Sequence, residues 1–147
     1  PSGRCRCTAE QVQRYRGKLS GPLLDRIDMQ VDVPAVPVND IVGSAPKAES
    51  SAAIRARVVR ARNIQLARSG MTNACLDARH VEERCCVAHA ATEYLLHVIE
   101  RLGLSARSFH RVIKVARTIA DLSEEAELSD RHVAEALRYR SYSGQGA

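Results

Sequence analysis

The chain has 147 residues, a net charge of +5 and 45% hydrophobic content, enough for one domain with a real core, and it contains no apolar run long enough to span a bilayer. One Phe, four Tyr and no Trp argue against base stacking on aromatic platforms, so any DNA contact is expected at the phosphate backbone, to which the positive charge is attracted. Five cysteines without regular spacing exclude a secreted disulfide framework and favour a reducing cytoplasm; with Pro1 first and no signal peptide, the expectation is an excised piece of a soluble protein.

Residues 1 to 28 read as an irregular basic segment with a short helix from about Thr8 to Tyr15. Leu23, Leu24 and Ile27 then fall at helical spacing, whereas Ile27, Met29, Val31 and Val33 alternate with Asp28, Gln30 and Asp32 in the rhythm of a strand. Arg26 sits where one period gives way to the other. An arginine held at the rim of a sheet by the strand that follows presents a rigid guanidinium fork to phosphate oxygens. Met29 to Val33 is the one strand expected, and so short a strand needs partners that the chain does not supply. Pro34, Pro37 and Pro46, with Gly43 and Ser44, mark an extended linker over residues 34–46.

Beyond the linker the period changes to 3.6. A first helix is predicted from about Lys47 to Ser69, with Ile54, Val58 and Ala61 as its buried stripe and Gly70 as its stop. A short helix near His80 to Cys85 follows. The next, about Ala88 to Leu102, places Ala91, Leu95, Val98 and Leu102 on one face and ends at Gly103. Another, about Ser105 to Leu122, buries Phe109, Val112, Ile113, Ala116, Ile119 and Ala120. The last, about Asp130 to Tyr139, starts after a Ser129 cap and buries Val133, Ala136 and Leu137; a Ser/Gly tail, 141–147, is expected to be disordered. The fold class is mainly α: a bundle of about four helices over 47–140, preceded by one strand and an irregular segment.

Arg107 falls in the first turn of its helix, after the natural N-cap Ser105, where a cation opposes the helix dipole by roughly 0.3–1 kcal/mol. Backbone N–H groups at that helix start, joined by a guanidinium, suit a terminal phosphate, although position alone favours a solvent-facing arginine. Asp25 and Asp28 flank Arg26 and either hold its side chain in place or form a surface salt bridge with it. Cys5 and Cys7 form a C-x-C, a weak metal signal by itself because zinc sites normally need four ligands. Cys85 and Cys86, adjacent on a helix, point about 100° apart, so one is expected in the core and the other partly exposed. The histidines are scattered and form no H-E-x-x-H or triad spacing. Arg55, Arg57, Arg60, Arg62 and Arg68 surround a narrow stripe on the first long helix, which fits a solvated basic face better than a DNA-facing or subunit-facing one. No G-x-x-x-x-G-K-[ST] occurs, since Gly17-Lys18 is followed by Leu19, and no apolar strand ends in paired acidic residues to hold magnesium. The chain is therefore not expected to hydrolyse ATP unaided.

The run Ser20-Gly21-Pro22-Leu23-Leu24-Asp25-Arg26-Ile27-Asp28, with Cys5-Arg6-Cys7-Thr8 and Arg14-Tyr15-Arg16 upstream, resembles the arginine-finger segment of AAA+ ATPases, in particular the magnesium-chelatase-like branch that includes ComM/YifB-type competence proteins. Leu102-Gly103-Leu104-Ser105-Ala106-Arg107, the run Val115 to Leu122, and Ala134 to Arg140 extend the resemblance over nearly the whole chain. Gln65, Arg68, Asn73 and Leu76 fall where relatives carry similar residues, while Met71 stands where they often have lysine.

The resemblance implies a C-terminal remnant of an AAA+ core with the finger segment over 1–33, a linker over 34–46 and a helical lid over 47–140. It implies that Arg26 is a finger acting in trans on a neighbour's ATP, with Asp25 and Asp28 in support. Arg107, supported by Ser105, becomes the sensor-two arginine that contacts the γ-phosphate of ATP in its own subunit. The cofactors implied are ATP and Mg2+ in the full-length protein and none in this piece; a zinc site would need a cysteine pair upstream of Cys5 and Cys7. The partners implied are the upstream ATPase core, neighbouring subunits in a homo-oligomeric ring, hexameric in the family, and DNA, without a membrane. Two other functions compete: a stand-alone basic helical module that binds nucleic acid, which would show affinity with steep salt dependence, and the ATPase subunit of a metal chelatase.

Overall fold

Short polar side chains set most of the helix starts. The computed structural model describes residues 6–36 and 48–140; Cys5, the linker from Pro37 onward and the tail lie outside the described residues. Helix α1, Ala9–Arg16, begins with a reciprocal box in which Thr8 accepts from the Gln11 N–H and Gln11 accepts from the Thr8 N–H. Helix α2, Gly21–Leu24, is capped by Ser20 and carries Pro22 in its first turn. Helix α3, Ser51–Ser69, starts on Ser50, which accepts from the Ala53 N–H, and ends where Gly70 takes a left-handed φ of 70°. After a 3₁₀ turn at Asn73–Cys75 come α4 (Ala78–Arg84), α5 (His89–Leu102), α6 (Ala106–Leu122) and α7 (Asp130–Arg138).

The described residues divide into two compact units, one holding residues 28–30 and 49–140, the other residues 6–27, 31–36 and 48. The first is built around α6. Val112, Ile113 and Ala116 are wholly buried there, against Ala91 and Leu95 of α5, Val81 of α4, Cys85, and Val133 and Ala136 of α7. Each of these helices contributes an apolar stripe at 3.6 spacing, so one core serves them all. The mainly α class expected from periodicity is the class observed.

The expected strand from Met29 to Val33 does not form. Among the described residues the β pairing is a single parallel bridge, Val87 with Leu128. Val31 and Val33 are exposed, and the backbone bond of the segment runs from the Gln30 N–H to the Tyr139 carbonyl, 2.7 Å, rather than to a ladder. The alternating pattern is present, but a strand without a neighbouring edge leaves its polar backbone groups unpaired. The stripe expected on the first long helix also differs. Ile54 and Val58 are exposed and every residue from 51 to 60 faces solvent, whereas Ala61 and Gln65 are buried. On α5, Ala91 and Leu95 are buried as expected, but Leu102 is exposed and Ile99 packs on the core instead.

A charged network crosses the helical unit. Arg117, wholly buried, donates from Nε to Asp121 Oδ1 at 3.1 Å, from Nη1 to the carbonyls of Ala126 and Cys85 at 2.8 and 3.3 Å, and from Nη2 to the Glu125 carbonyl. Asp121, equally buried, accepts two bonds of 2.7 Å from the Arg68 fork and one of 2.8 Å from Asn73 Nδ2. Arg68 also donates to Asn73 Oδ1, and the Asn73 N–H donates to Gln65 Oε1. Hydrogen bonding to Asp121 raises the Arg68 pKa above its ordinary value. The network ties α3, the 3₁₀ turn and α6 together and closes the α6–α7 loop.

His132 supplies a pH response. The Ser129 N–H donates to His132 Nδ1 at 3.1 Å, so the imidazole is held neutral at the start of α7. Burial lowers its pKa below 6.5, Glu125 opposes the shift, and Arg131 and Arg117 add to it. Below about pH 6.5 the unfolded chain therefore takes up a proton that the folded chain resists, and stability falls with pH until the folded imidazole also titrates. Urea midpoints are expected to be level above about pH 7.5 and to drop by pH 5.5, and the drop should be smaller in His132→Gln. Equal pH slopes in the two proteins would remove His132 from the response.

Candidate phosphate-reading site

Arg26 lies in the turn that closes α2. Its N–H donates to the Leu23 carbonyl at 3.0 Å, between bonds from the Asp25 N–H to Gly21 and from the Ile27 N–H to Leu24. The side chain is exposed and Asp25 is half-buried. The helical half of the expected changeover is therefore present, and the finger candidate is set by a capped turn in place of a strand edge.

In the helical unit, Arg107 stands in the first turn of α6, exposed to solvent. Ser105 takes the N-cap position with extended backbone, φ −72° and ψ 156°, but makes no capping bond from its side chain; its hydroxyl lies 3.2 Å from Ser108 Oγ. Arg107 opens onto a cleft of about 340 Å³ whose α6 wall carries His110, Arg111 and Lys114 as well. Arg107, Arg111 and Lys114 are spaced i, i+4, i+7 and so form one ridge. Opposite them are Asp28 and Asp77.

These charges are not equivalent. Arg111 donates from Nη1 to Asp28, and Lys114 Nζ donates to the Ala74 carbonyl at 3.3 Å. Asp77 caps α4 by accepting from the His80 N–H at 2.9 Å, and that bond, with one to the His80 ring, holds its carboxyl below the usual range. Among the described residues Arg107 has no acidic partner. A guanidinium with no carboxylate to satisfy it, beside a neutralised arginine and a lysine, is suited to an incoming oxyanion.

Of the supporting residues, Asp28 pairs with Arg111, a partner that its position beside Arg26 does not suggest. Cys7 is exposed, and Cys5 lies outside the described residues. Of the vicinal pair, Cys85 is buried and Cys86 exposed, as expected; burial pushes the Cys85 thiol up to about 11, so it is a packing group and no nucleophile. Among the described residues no helix is long and apolar enough to cross a membrane.

Residues 48–140 match the family model for the C-terminal region of magnesium chelatase subunit ChlI, and residues 1–41 match the model for magnesium chelatase subunit ChlI itself. The chain belongs to the magnesium chelatase ChlI family. Within this AAA+ family it is 40% identical over 136 residues to the competence protein ComM of Haemophilus influenzae, 40% identical to YifB of Salmonella typhimurium and 38% identical to YifB of Escherichia coli. Each alignment covers 92% of this chain and 27% of the relative, so this ChlI-family chain spans about a quarter of the length of the relatives it matches.

The sequence reading missed the Arg68–Asp121–Arg117 network. A signal was available: Arg117 is four residues beyond buried Ile113 and three before buried Ala120, so it occupies the apolar stripe of α6, with Asp121 one turn on. The family-like Gln65, Arg68 and Asn73 likewise meet around Asp121. In this ChlI-family chain those residues join α3 and the 3₁₀ turn to α6.

Proposed function

We propose that this chain is the lid and arginine-finger portion of a ring-forming, ATP-hydrolysing motor that works on DNA in the cytoplasm, during recombination of incoming strands. ATP and Mg2+ are held by the upstream core of the same polypeptide. Arg107 contacts the γ-phosphate in its own subunit, and Arg26 reaches the ATP of the next subunit in a ring of six. The observation that carries the reading is the exposed Arg107 at the start of α6, without a carboxylate partner among the described residues and on a basic ridge. The DNA role is taken from the word competence in the name of the Haemophilus relative, and it accords with the +5 charge.

The full-length protein is expected to hydrolyse ATP in the presence of Mg2+, faster when single-stranded DNA is added, and residues 1–147 alone are expected to release no phosphate. Hydrolysis by the short chain, or none by the full-length protein, contradicts the reading. The chelatase name of the matching family models supports a second reading, a motor for metal insertion into a tetrapyrrole. Full-length turnover stimulated by a porphyrin-binding partner and indifferent to DNA would favour it.

A further inference from the structure

We propose that Lys114 is a second phosphate contact: with Arg107 it fits the cleft on α6 to the polyphosphate chain of a nucleotide, and it keeps its hold on that chain after the γ-phosphate has left. The proposal rests on the ATPase reading above.

Lys114 is half-buried and has no carboxylate partner among the described residues. A partly desolvated ammonium ordinarily has an acid beside it. Here Nζ donates to the neutral Ala74 carbonyl at 3.3 Å, which leaves two of its three N–H donors for an incoming group. Two acids line the cleft, and both are engaged: Asp28 by Arg111, and Asp77 by the N–H and ring of His80. The cations of the ridge left unmatched among the described residues are therefore Arg107 and Lys114, one on each side of the Arg111–Asp28 pair.

Seven residues separate them, so their Cα atoms stand about 10 Å apart along the helix. Helical side chains lean toward the N-terminus, which brings the ammonium nearer to Arg107 than its own Cα. A lone oxyanion satisfies one of the two cations, whereas linked phosphates carry charge to both. No Phe, Tyr or Trp lines the cleft, so it offers phosphates a partner and bases no surface to stack on. The lysine is also pre-set. Thr118 Oγ1 donates to the Lys114 carbonyl at 2.8 Å and accepts from Asn73 Nδ2 at 3.1 Å, and Asn73 bonds in turn to Asp121. The turn that supplies Ala74 and the helix that supplies Lys114 are thus held in register before a ligand arrives. A contact to the γ-phosphate ends with hydrolysis, but one to the phosphate behind it persists in ADP. Arg107 therefore tells ATP from ADP, and Lys114 binds both.

In the full-length protein, Lys114→Met should raise KM for ATP and the inhibition constant of ADP about tenfold each and change kcat by less than about threefold, the pattern of a contact made equally before and during the reaction. Lys114→Arg, which keeps the charge in a different shape, should return both constants to within about threefold of the natural protein; a packing role would favour methionine over arginine. In the 147-residue chain, inorganic tripolyphosphate should shift the amide resonances of Ala74, Arg107 and Lys114 with a Kd at least about tenfold below that of orthophosphate, and Lys114→Met should abolish the difference. A single-stranded oligonucleotide without terminal phosphates should not displace the tripolyphosphate. Unchanged ATP and ADP constants in Lys114→Met, equal affinity for the two inorganic anions, or displacement by the oligonucleotide would overturn the proposal. Arg107→Ala, expected to weaken ATP far more than ADP, is the control. If it too leaves every constant unchanged, the ATPase reading falls with the second contact; if only the Lys114 variants do, the second contact alone is lost. Should the full-length protein hydrolyse no ATP, that reading is gone, and the tripolyphosphate titration still decides for or against Lys114.

Discussion

Arg26→Ala and Arg107→Ala should each reduce ATP turnover by the full-length protein about 10³-fold while leaving its fold intact, the size of effect that a phosphate-directed arginine has in other phosphate-hydrolysing enzymes. The two variants should fail differently. Arg107 is proposed to touch the γ-phosphate already in the bound state, so its loss should raise KM for ATP as well as lower kcat. Arg26 is proposed to meet charge that develops only as the phosphoryl group leaves, so its loss should fall on kcat. Lysine should replace neither well, since a point charge cannot reproduce the planar fork. Both side chains are exposed, so urea midpoints should stay close to those of the natural protein. Steady-state kinetics over a range of ATP concentrations, with circular dichroism on the same samples, separates these outcomes.

Asp121→Ala should be the most destabilising single change in the helical unit. The carboxylate is wholly buried and accepts from Arg68, Arg117 and Asn73, so its removal strands Arg117 in the core and Arg68 at its margin without a counter-charge. Breaking a buried pair in this way costs about 3–5 kcal/mol, a large share of the roughly 5–15 kcal/mol that holds a domain together. With a urea dependence of about 2 kcal/mol per M, the midpoint should fall by about 2 M. The same substitution at Glu124, which meets Arg60 across an exposed pair, should move it by less than about 0.5 M. Similar midpoints for the two variants would mean that the network does not secure the helical unit.

The fold was legible where burial follows helical period. The stops at Gly70 and Gly103, the Ser129 start and the core stripe of α6 all stand where the pattern puts them, because capping and amphipathicity act locally. Two features were misread because local pattern is insufficient. Met29 to Val33 alternates like a strand, yet a strand forms only against an edge, and the described residues provide none. Ile54 and Val58 are spaced as a buried stripe, yet α3 is buried only at Ala61 and Gln65, and period alone does not say how much of a helix is covered. In the site, the placement of Arg107 at a helix start followed from Ser105. The Arg111–Asp28 pair did not, since nothing in a sequence marks partners 83 residues apart. The buried network shared that obstacle in part: Arg68 meets Asp121 across 53 residues, although Arg117 and Asp121 are one turn apart and lie on a face otherwise apolar.

The central claim, that the two arginines serve one nucleotide site from adjacent subunits, is tested most directly by mixing. Full-length Arg26→Ala and Arg107→Ala proteins, each nearly inactive, are combined in equal amounts under conditions that exchange subunits, and ATP turnover is measured. A site owned by an Arg26→Ala subunit keeps its Arg107 and receives an intact Arg26 from an Arg107→Ala neighbour, so random assembly should restore about a quarter of the natural activity. A mixture no more active than its components, or single variants that turn over ATP at the natural rate, would contradict the claim.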